Sequence, residues 1–344
     1  MEGQFIIRLT EGHAMKFISN NDITDPTLNL ALEEYILRSL PDTDDYLLFY
    51  INEPSIIIGK NQNTVEEINA EYVEQNGIHV VRRLSGGGAV YHDLGNLNFS
   101  FIMKDDGQSF HNFKKFTEPV VLALRKLGVE AELTGRNDLQ VGERKISGNA
   151  QFSTKGKMFS HGTLLFDSEI ENVVSALKAN AEKYVSKATK SIRSRVANIS
   201  EFLQEPMTVE QFREKLLVSL FEGEADIPRY ELSEQDWANV RKLADERYRS
   251  WEWNYGRSPA FNVRQTKRIE GAGTFDVRLQ VENGVIAGAA LYGDFFGRGD
   301  SAELAAKFVG VRYEAEAVGA LLDGIDLPFY VGPVTKDQWL ELML

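Results

Sequence analysis

The residues best suited to chemistry fall in three short stretches. The first, Arg82-Arg83-Leu84-Ser85-Gly86-Gly87-Gly88-Ala89-Val90-Tyr91-His92-Asp93, joins two arginines to three consecutive glycines. Glycine N–H groups can turn toward an anion and let it approach closely, and guanidinium groups supply charge-assisted donors to phosphate or carboxylate. On glycine physics alone, a flexible turn at a strand end accounts for this stretch equally well. The second, Thr134-Gly135-Arg136-Asn137-Asp138-Leu139, sets Asp138 at a strand start, where a carboxylate can hold Mg²⁺ together with nucleotide phosphates. The third, Arg144-Lys145-Ile146-Ser147-Gly148-Asn149-Ala150, places a lysine on a strand among small residues that would let a ligand lie against the backbone. Taken singly, each of the last two reads as a solvated hairpin end.

Other chemistries are excluded by what is missing. There is no G-x-x-x-x-G-K-[ST] loop, no G-x-S-x-G elbow and no H-E-x-x-H helix. His13, His79, His92, His111 and His161 lack ligand spacing, so no buried metal held by protein nitrogen is expected. Gly271-Ala272-Gly273 precedes a strand and lacks a third glycine, and so reads as a loop. With no cysteine, disulfides and thiolate nucleophiles are impossible. A net charge of −13, from 38 basic and 51 acidic residues, opposes an extensive nucleic-acid surface. No apolar run reaches the roughly 18 to 20 residues that span a bilayer. The chain reads as soluble and cytoplasmic, with no nucleic-acid or membrane partner, and nothing in it demands more than a monomer.

The elements that must position these residues mix helix and strand without a βαβ rhythm. An α+β fold with a mixed or antiparallel sheet is therefore expected. Asp25-Pro26 caps a first helix bearing Leu28, Ala31, Leu32, Tyr35 and Ile36. Residues 46–51 and 55–58 read as neighbouring strands joined through Asn52-Glu53-Pro54. Thr64 with Glu67 forms a capping box for a helix reaching Gly77. Strands are expected over 78–82, 98–103, 129–133, 138–141, 145–147 and 158–166, with a helix over 113–127 closed by Gly128.

The second half changes character. Lys178, Lys183, Lys187, Lys190, Arg193 and Arg195 stand against Glu182 alone, giving 178–195 a charge of +5. Capping boxes at Thr208/Gln211 and Ser233/Asp236 open two helices. Aromatics, glycine and proline in 251–259 then mark a domain boundary, and Asn283-Gly284 signals a hairpin in a small α+β domain. The expected division is an extension over 1–14, a catalytic domain over 15–252 and an accessory domain over 253–344. Residues 1–14 are set apart because Met15 opens a second plausible start.

The three stretches occur in an ordered series. It includes Ile58-Gly59-Lys60-Asn61-Gln62-Asn63, His161-Gly162-Thr163-Leu164-Leu165, Ser191-Ile192-Arg193-Ser194-Arg195-Val196-Ala197-Asn198 and Trp253-Asn254-Tyr255-Gly256-Arg257-Ser258-Pro259. In this the chain resembles the lipoate-protein ligase family of the biotin/lipoate ligase-like superfamily. The resemblance implies activation of lipoate by ATP as lipoyl-AMP, with loss of pyrophosphate, then transfer to a lysine of an acceptor protein. The acceptors implied are lipoyl domains of 2-oxoacid dehydrogenases and the glycine-cleavage H protein. Lys145 would contact the acyl carbonyl and the α-phosphate. Arg82, Ser85, Gly87, Gly88, Val90, Tyr91, His92, Asn137, Asp138, Lys145, Lys187 and Arg193 would hold ATP or the adenylate. Tyr50, Arg82, Ser85, Gly86, Gly87, Lys145, Ser147, Gly148, His161 and Gly162 would hold lipoate. Asp138 would face Mg²⁺, and the basic segment would order over the adenylate.

Three rivals differ at visible features. A transferase of the same fold works through a cysteine thioester, which this chain cannot form. A biotin-protein ligase has a different glycine loop and often a winged helix. A non-catalytic binding module would have no use for Lys145, Asp138 and the basic segment together.

Overall fold

The structure, a computed structural model, describes residues 9, 12–177, 195–221, 226–255, 263–282 and 284–344. It divides into two compact units. The first comprises 1–57, 68–81 and 90–253, and the second comprises 58–67, 82–89 and 254–344. Two segments from the N-terminal half, one of them the glycine-rich stretch, thus cluster with the C-terminal residues.

The first unit is built on a sheet of β1 (Met15–Ile18), β2 (Asp45–Ile51), β6 (Asn96–Lys104), β7 (Ala131–Thr134), β8 (Asp138–Val141), β9 (Arg144–Thr154) and β10 (Lys157–Leu165). Their order is β1-β2-β6-β10-β9-β8-β7. The β1/β2 pairing is parallel and the rest are antiparallel, so the sheet is mixed. Alternation along the strands gives it two unlike faces. Phe49, Leu97, Phe99, Phe101, Met158 and Leu164 turn to one side, where the helices Phe113–Lys126 and Val209–Leu220 add Phe116, Val120, Leu124, Phe212 and Leu216. This is the core. Leu9 is buried in it too.

The other face is polar and meets the first helix, Pro26–Ser39, through a hydrogen bond that the His161 ring donates to the Glu33 carboxylate. That helix begins as expected, with Asp25 accepting from the amides of Thr27 and Leu28 and Pro26 in its first turn. The capping boxes at Thr208 and Ser233 are also present.

Three local expectations are corrected. Strands 46–51 and 55–58 are not partners: β3 (Ser55–Ile58) lies between β4 (His79–Arg82) and β5 (Val90–His92) in a separate small sheet. Asn52, held by Asn29, sits where the chain leaves one sheet for the other. The helix from Thr64 stops at Glu67 and restarts at Ala70 under an Asn69 cap, because Ile68 bridges to Leu177. The Thr64 hydroxyl accepts from Arg82 and donates to the Asn254 carbonyl. Finally, β9 runs on to Thr154, well past the short strand expected, and pairs with β10.

The second unit has an antiparallel sheet of β11 (Val263–Ile269), β12 (Gly273–Glu282) and β13 (Val285–Gly293). Glu282 pairs with Val285 across the expected Asn283-Gly284 hairpin; Asn283 lies outside the described residues. Helices Ser301–Lys307, Ala315–Leu322, Leu327–Val331 and Lys336–Met343 complete a core around Phe275, Phe295, Leu304 and Trp339. Among the described residues no helix is long and apolar enough to cross a membrane.

Candidate functional site

On the polar face of the large sheet, cross-strand registers place the expected residues in rows. Thr134 pairs with Asp138, and Asp138 with Gly148. The Gly148 amide donates to the Thr163 hydroxyl, Thr163 pairs with Asn98, and Asn98 with Tyr50. One row therefore crosses six strands from Thr134 to Tyr50. The next row on this face holds Ala150, His161, Ser100 and Leu48. His161 is buried, and its Nδ1 lies 2.9 Å from Oε1 of Glu33, itself 2% exposed.

Lys145 reaches this face through a break in register. β8 and β9 pair Leu139 with Ser147 but Gln140 with Lys145, which leaves Ile146 without an opposite number. Such a bulge re-aims the side chains that follow it. Ile146 and Ser147 are both fully buried, and Ser147 accepts from Asn149. Lys145 instead stands beside Gly148, where an added Cβ would come 3.1 Å from its ammonium. The ammonium is 2.8 Å from the Asp138 carboxylate, and both side chains are about one-third exposed.

Asn137 and Asn149 lock this corner. Each side-chain amide donates to the other's backbone carbonyl. Gly162 belongs with the core face, since an added Cβ would meet the Asn149 side chain at 2.2 Å and the Phe99 ring at 2.6 Å. Of the residues expected to hold lipoate, Tyr50, Lys145, Gly148 and His161 thus share the polar face. Ser147 and Gly162 turn toward the core.

Val90, Tyr91 and His92 form β5, in which they pair with Ile57, Ile56 and Ser55. His92 is buried, its Nδ1 accepting from the Asn52 amide at 3.0 Å. Burial pushes the Tyr91 phenol up to about 12, with Asp93 adding to the effect.

The second unit holds Arg82, Ser85, Gly86, Gly87 and Gly88. Nη1 of Arg82 donates to the carbonyls of Gly59, Lys60 and Gln62, and Nη2 to Thr64 and the Asn254 carbonyl. Burial lowers the pKa of this guanidinium to about 10. Arg83 braces the glycine turn by donating to Ser85, Gly86 and Gly88. Gly87 is left-handed, at φ +90°, and a Cβ on Gly86 would strike the Phe295 carbonyl. Gly88 has open space around it. Lys187, Arg193 and the rest of the expected lid up to residue 194 lie outside the described residues; of that segment only Arg195 is described.

Comparison with known proteins places this arrangement. Residues 25–221 match the lipoyl protein ligase A/B catalytic domain, and residues 258–343 match the bacterial lipoate protein ligase C-terminus. A lipoate-protein ligase of Bacillus subtilis is 59% identical, over 96% of this chain and 100% of its own. The chain belongs to the lipoate-protein ligase family. Solved structures agree. The bipartite lipoate protein ligase of Thermoplasma acidophilum, studied with its E2 lipoyl domain, is 33% identical with a TM-score of 0.63, over 73% of this chain and 100% of that one. A lipoate-protein ligase A solved with ATP bound is 32% identical with a TM-score of 0.60, over 71% and 98%.

Residues that motif reading passed over now stand out in this ligase fold. Glu33 carried a signal, an acid set between apolar Leu32 and Ile36 of an amphipathic helix. Glu201 carried another, since Asn198-x-x-Glu201 is a capping-box pattern. Nothing in the sequence set Ser100 apart from any other strand serine.

Proposed function

We propose that this chain is an ATP-dependent lipoate-protein ligase that makes lipoyl-AMP and then transfers the lipoyl group to a lysine of a lipoyl acceptor domain. The observation that carries the reading is the Lys145–Asp138 pair, in which the bulge brings Lys145 beside the Asp138 of the polar row. In the first step a carboxylate oxygen of lipoate attacks the α-phosphorus of ATP. The bond from that phosphorus to the bridging oxygen breaks, and pyrophosphate leaves. Two anions must meet, so the barrier is largely electrostatic, and a preorganised ammonium lowers it. Lys145, with one exchangeable carboxylate partner and a third of its surface open, can turn to the new anion. In the second step the acceptor's neutral amine attacks the acyl carbon, AMP departs, and the amide nitrogen loses its extra proton to solvent.

Mg²⁺ is read as entering with ATP as part of the substrate. Among the described residues no group of three His, Asp or Glu side chains could hold a metal alone. One carboxylate, Asp138, suits an ion that keeps most of its ligands as phosphate oxygens and water. The burial gradient along the polar face, from His161 to Lys145, fits a molecule with an apolar tail and an anionic head. We take the acceptors to be 2-oxoacid dehydrogenase lipoyl domains or the glycine-cleavage H protein, and the enzyme to act as a cytoplasmic monomer.

The test is direct. Purified protein with MgATP and lipoate should release pyrophosphate and retain lipoyl-AMP. Adding a lipoyl domain should give a single lipoyl mass increment on its lysine. Lipoate-dependent release of ADP would overturn the proposal.

A further inference from the structure

We infer that Arg144 and Glu201 are positioning residues that fix the backbone of Lys145; the inference rests on the proposed catalytic role of that lysine. β10 pairs with β9 only as far as Asn149 and Gly162, so the edge of β9 beside Lys145 is left to another partner. That partner is 195–197. The Lys145 amide donates to the Arg195 carbonyl at 2.7 Å, and the Ala197 amide donates to the Lys145 carbonyl at 2.9 Å. Lys145 is thus held on both backbone groups by a stretch some fifty residues away in the chain.

This stretch is anchored. Ala197 and Ile199 are fully buried in the core, and the Ser200 amide donates to the Phe166 carbonyl. Asn198 exchanges hydrogen bonds with the backbone of Ser168 and receives the cap from Glu201. Arg144 ties the two parts together. Its Nη1 and Nη2 donate to the two carboxylate oxygens of Glu201 at 2.8 and 3.1 Å, while Nε and Nη2 donate to the Val196 carbonyl. A planar fork of this kind sets direction as well as distance, which an ammonium does not.

As a stabilising device the pair is a poor one, since both side chains are partly exposed and such ion pairs add little to folding. Its geometry has a clearer use. The bulge at Ile146 turns Lys145 to the polar face, and a bulged strand end can shift unless the stretch paired with it is itself fixed. The Arg144 fork removes that freedom.

The experiment compares wild type with Arg144→Ala, Glu201→Gln, Arg144→Lys and Lys145→Ala. Pyrophosphate release is followed without acceptor, and competent sites are counted from the burst. For Arg144→Ala and Glu201→Gln the adenylation rate constant per competent site should fall about 10- to 100-fold, the cost of a small misplacement of a catalytic group. The KM for lipoate should stay within about twofold and the melting temperature near wild type, with Arg144→Lys between the extremes. A merely structural role would lower the number of competent sites or the melting temperature and leave the rate constant per site intact. If Arg144→Ala melts far below wild type, Glu201→Gln decides, because it keeps the side-chain volume and a capping acceptor. Rate constants near wild type in Glu201→Gln and any folded Arg144→Ala, alongside an inactive Lys145→Ala, would overturn the clasp and leave the catalytic reading standing. A near-normal Lys145→Ala would overturn the catalytic reading instead, and the clasp with it.

Discussion

The two faces of the large sheet are made by the same strands, yet they differ in nearly every property. On one, Phe49, Phe99, Phe101 and Leu164 interlock with two helices. On the other, Tyr50, Asn98, Ser100 and His161 run in register toward a half-buried ammonium and carboxylate. A period of two along each strand is enough to separate them. Stability and chemistry can then be altered almost independently, one face at a time.

Phe99→Ala should produce the largest effect and break the core side of this comparison. Deleting a fully buried aromatic ring costs about 3–5 kcal/mol. Chemical denaturation should show that loss, while adenylation per folded molecule stays near normal. Lys145→Ala is the mirror image on the polar face. Adenylation should drop about 10²- to 10³-fold with the denaturation midpoint unchanged; a large stability loss here would mean that the ion pair with Asp138 is structural.

Gly162→Ala probes where the faces meet. Its new methyl would collide with Asn149 and Phe99, so a destabilisation of about 1–3 kcal/mol from overpacking is expected. If stability holds and lipoate affinity falls, Gly162 belongs to the polar side after all. Ser100→Ala should have the smallest effect and the opposite sign. Among the described residues its buried hydroxyl has no hydrogen-bond partner, so removing it should raise stability by up to about 1 kcal/mol. A measured loss would show that the hydroxyl has found an acceptor.

Features written in adjacent residues could be read in advance. Asp25-Pro26, Thr208 with Gln211 and Ser233 with Asp236 each act within one helical turn, and each is found as expected. Pairing between distant strands could not. Nothing local says that residues 55–58 leave the sheet of residues 46–51, or that Val263–Ile269 is a strand. The same limit applies to the site. Lys145 and Asp138 could be nominated from their types, but the unpaired Ile146 that joins them depends on register, which only the folded sheet sets. Arg82 shows the converse. Its charge was legible, but not that the carbonyls of Gly59, Lys60 and Gln62 gather around it.

The polar rows around His161 and Asn98 present hydroxyl, amide, imidazole and phenol groups, and no thiol exists anywhere in the chain. The tail of lipoate is a strained cyclic disulfide, a ready target for any neighbouring thiolate. A surface without sulfur nucleophiles can hold that ring through two chemical steps and release it still closed. Its redox state is then left to the acceptor's later partners. Turnover with oxidised lipoate should accordingly be indifferent to thiol-alkylating reagents, and mass spectrometry should find no mixed disulfide between enzyme and substrate.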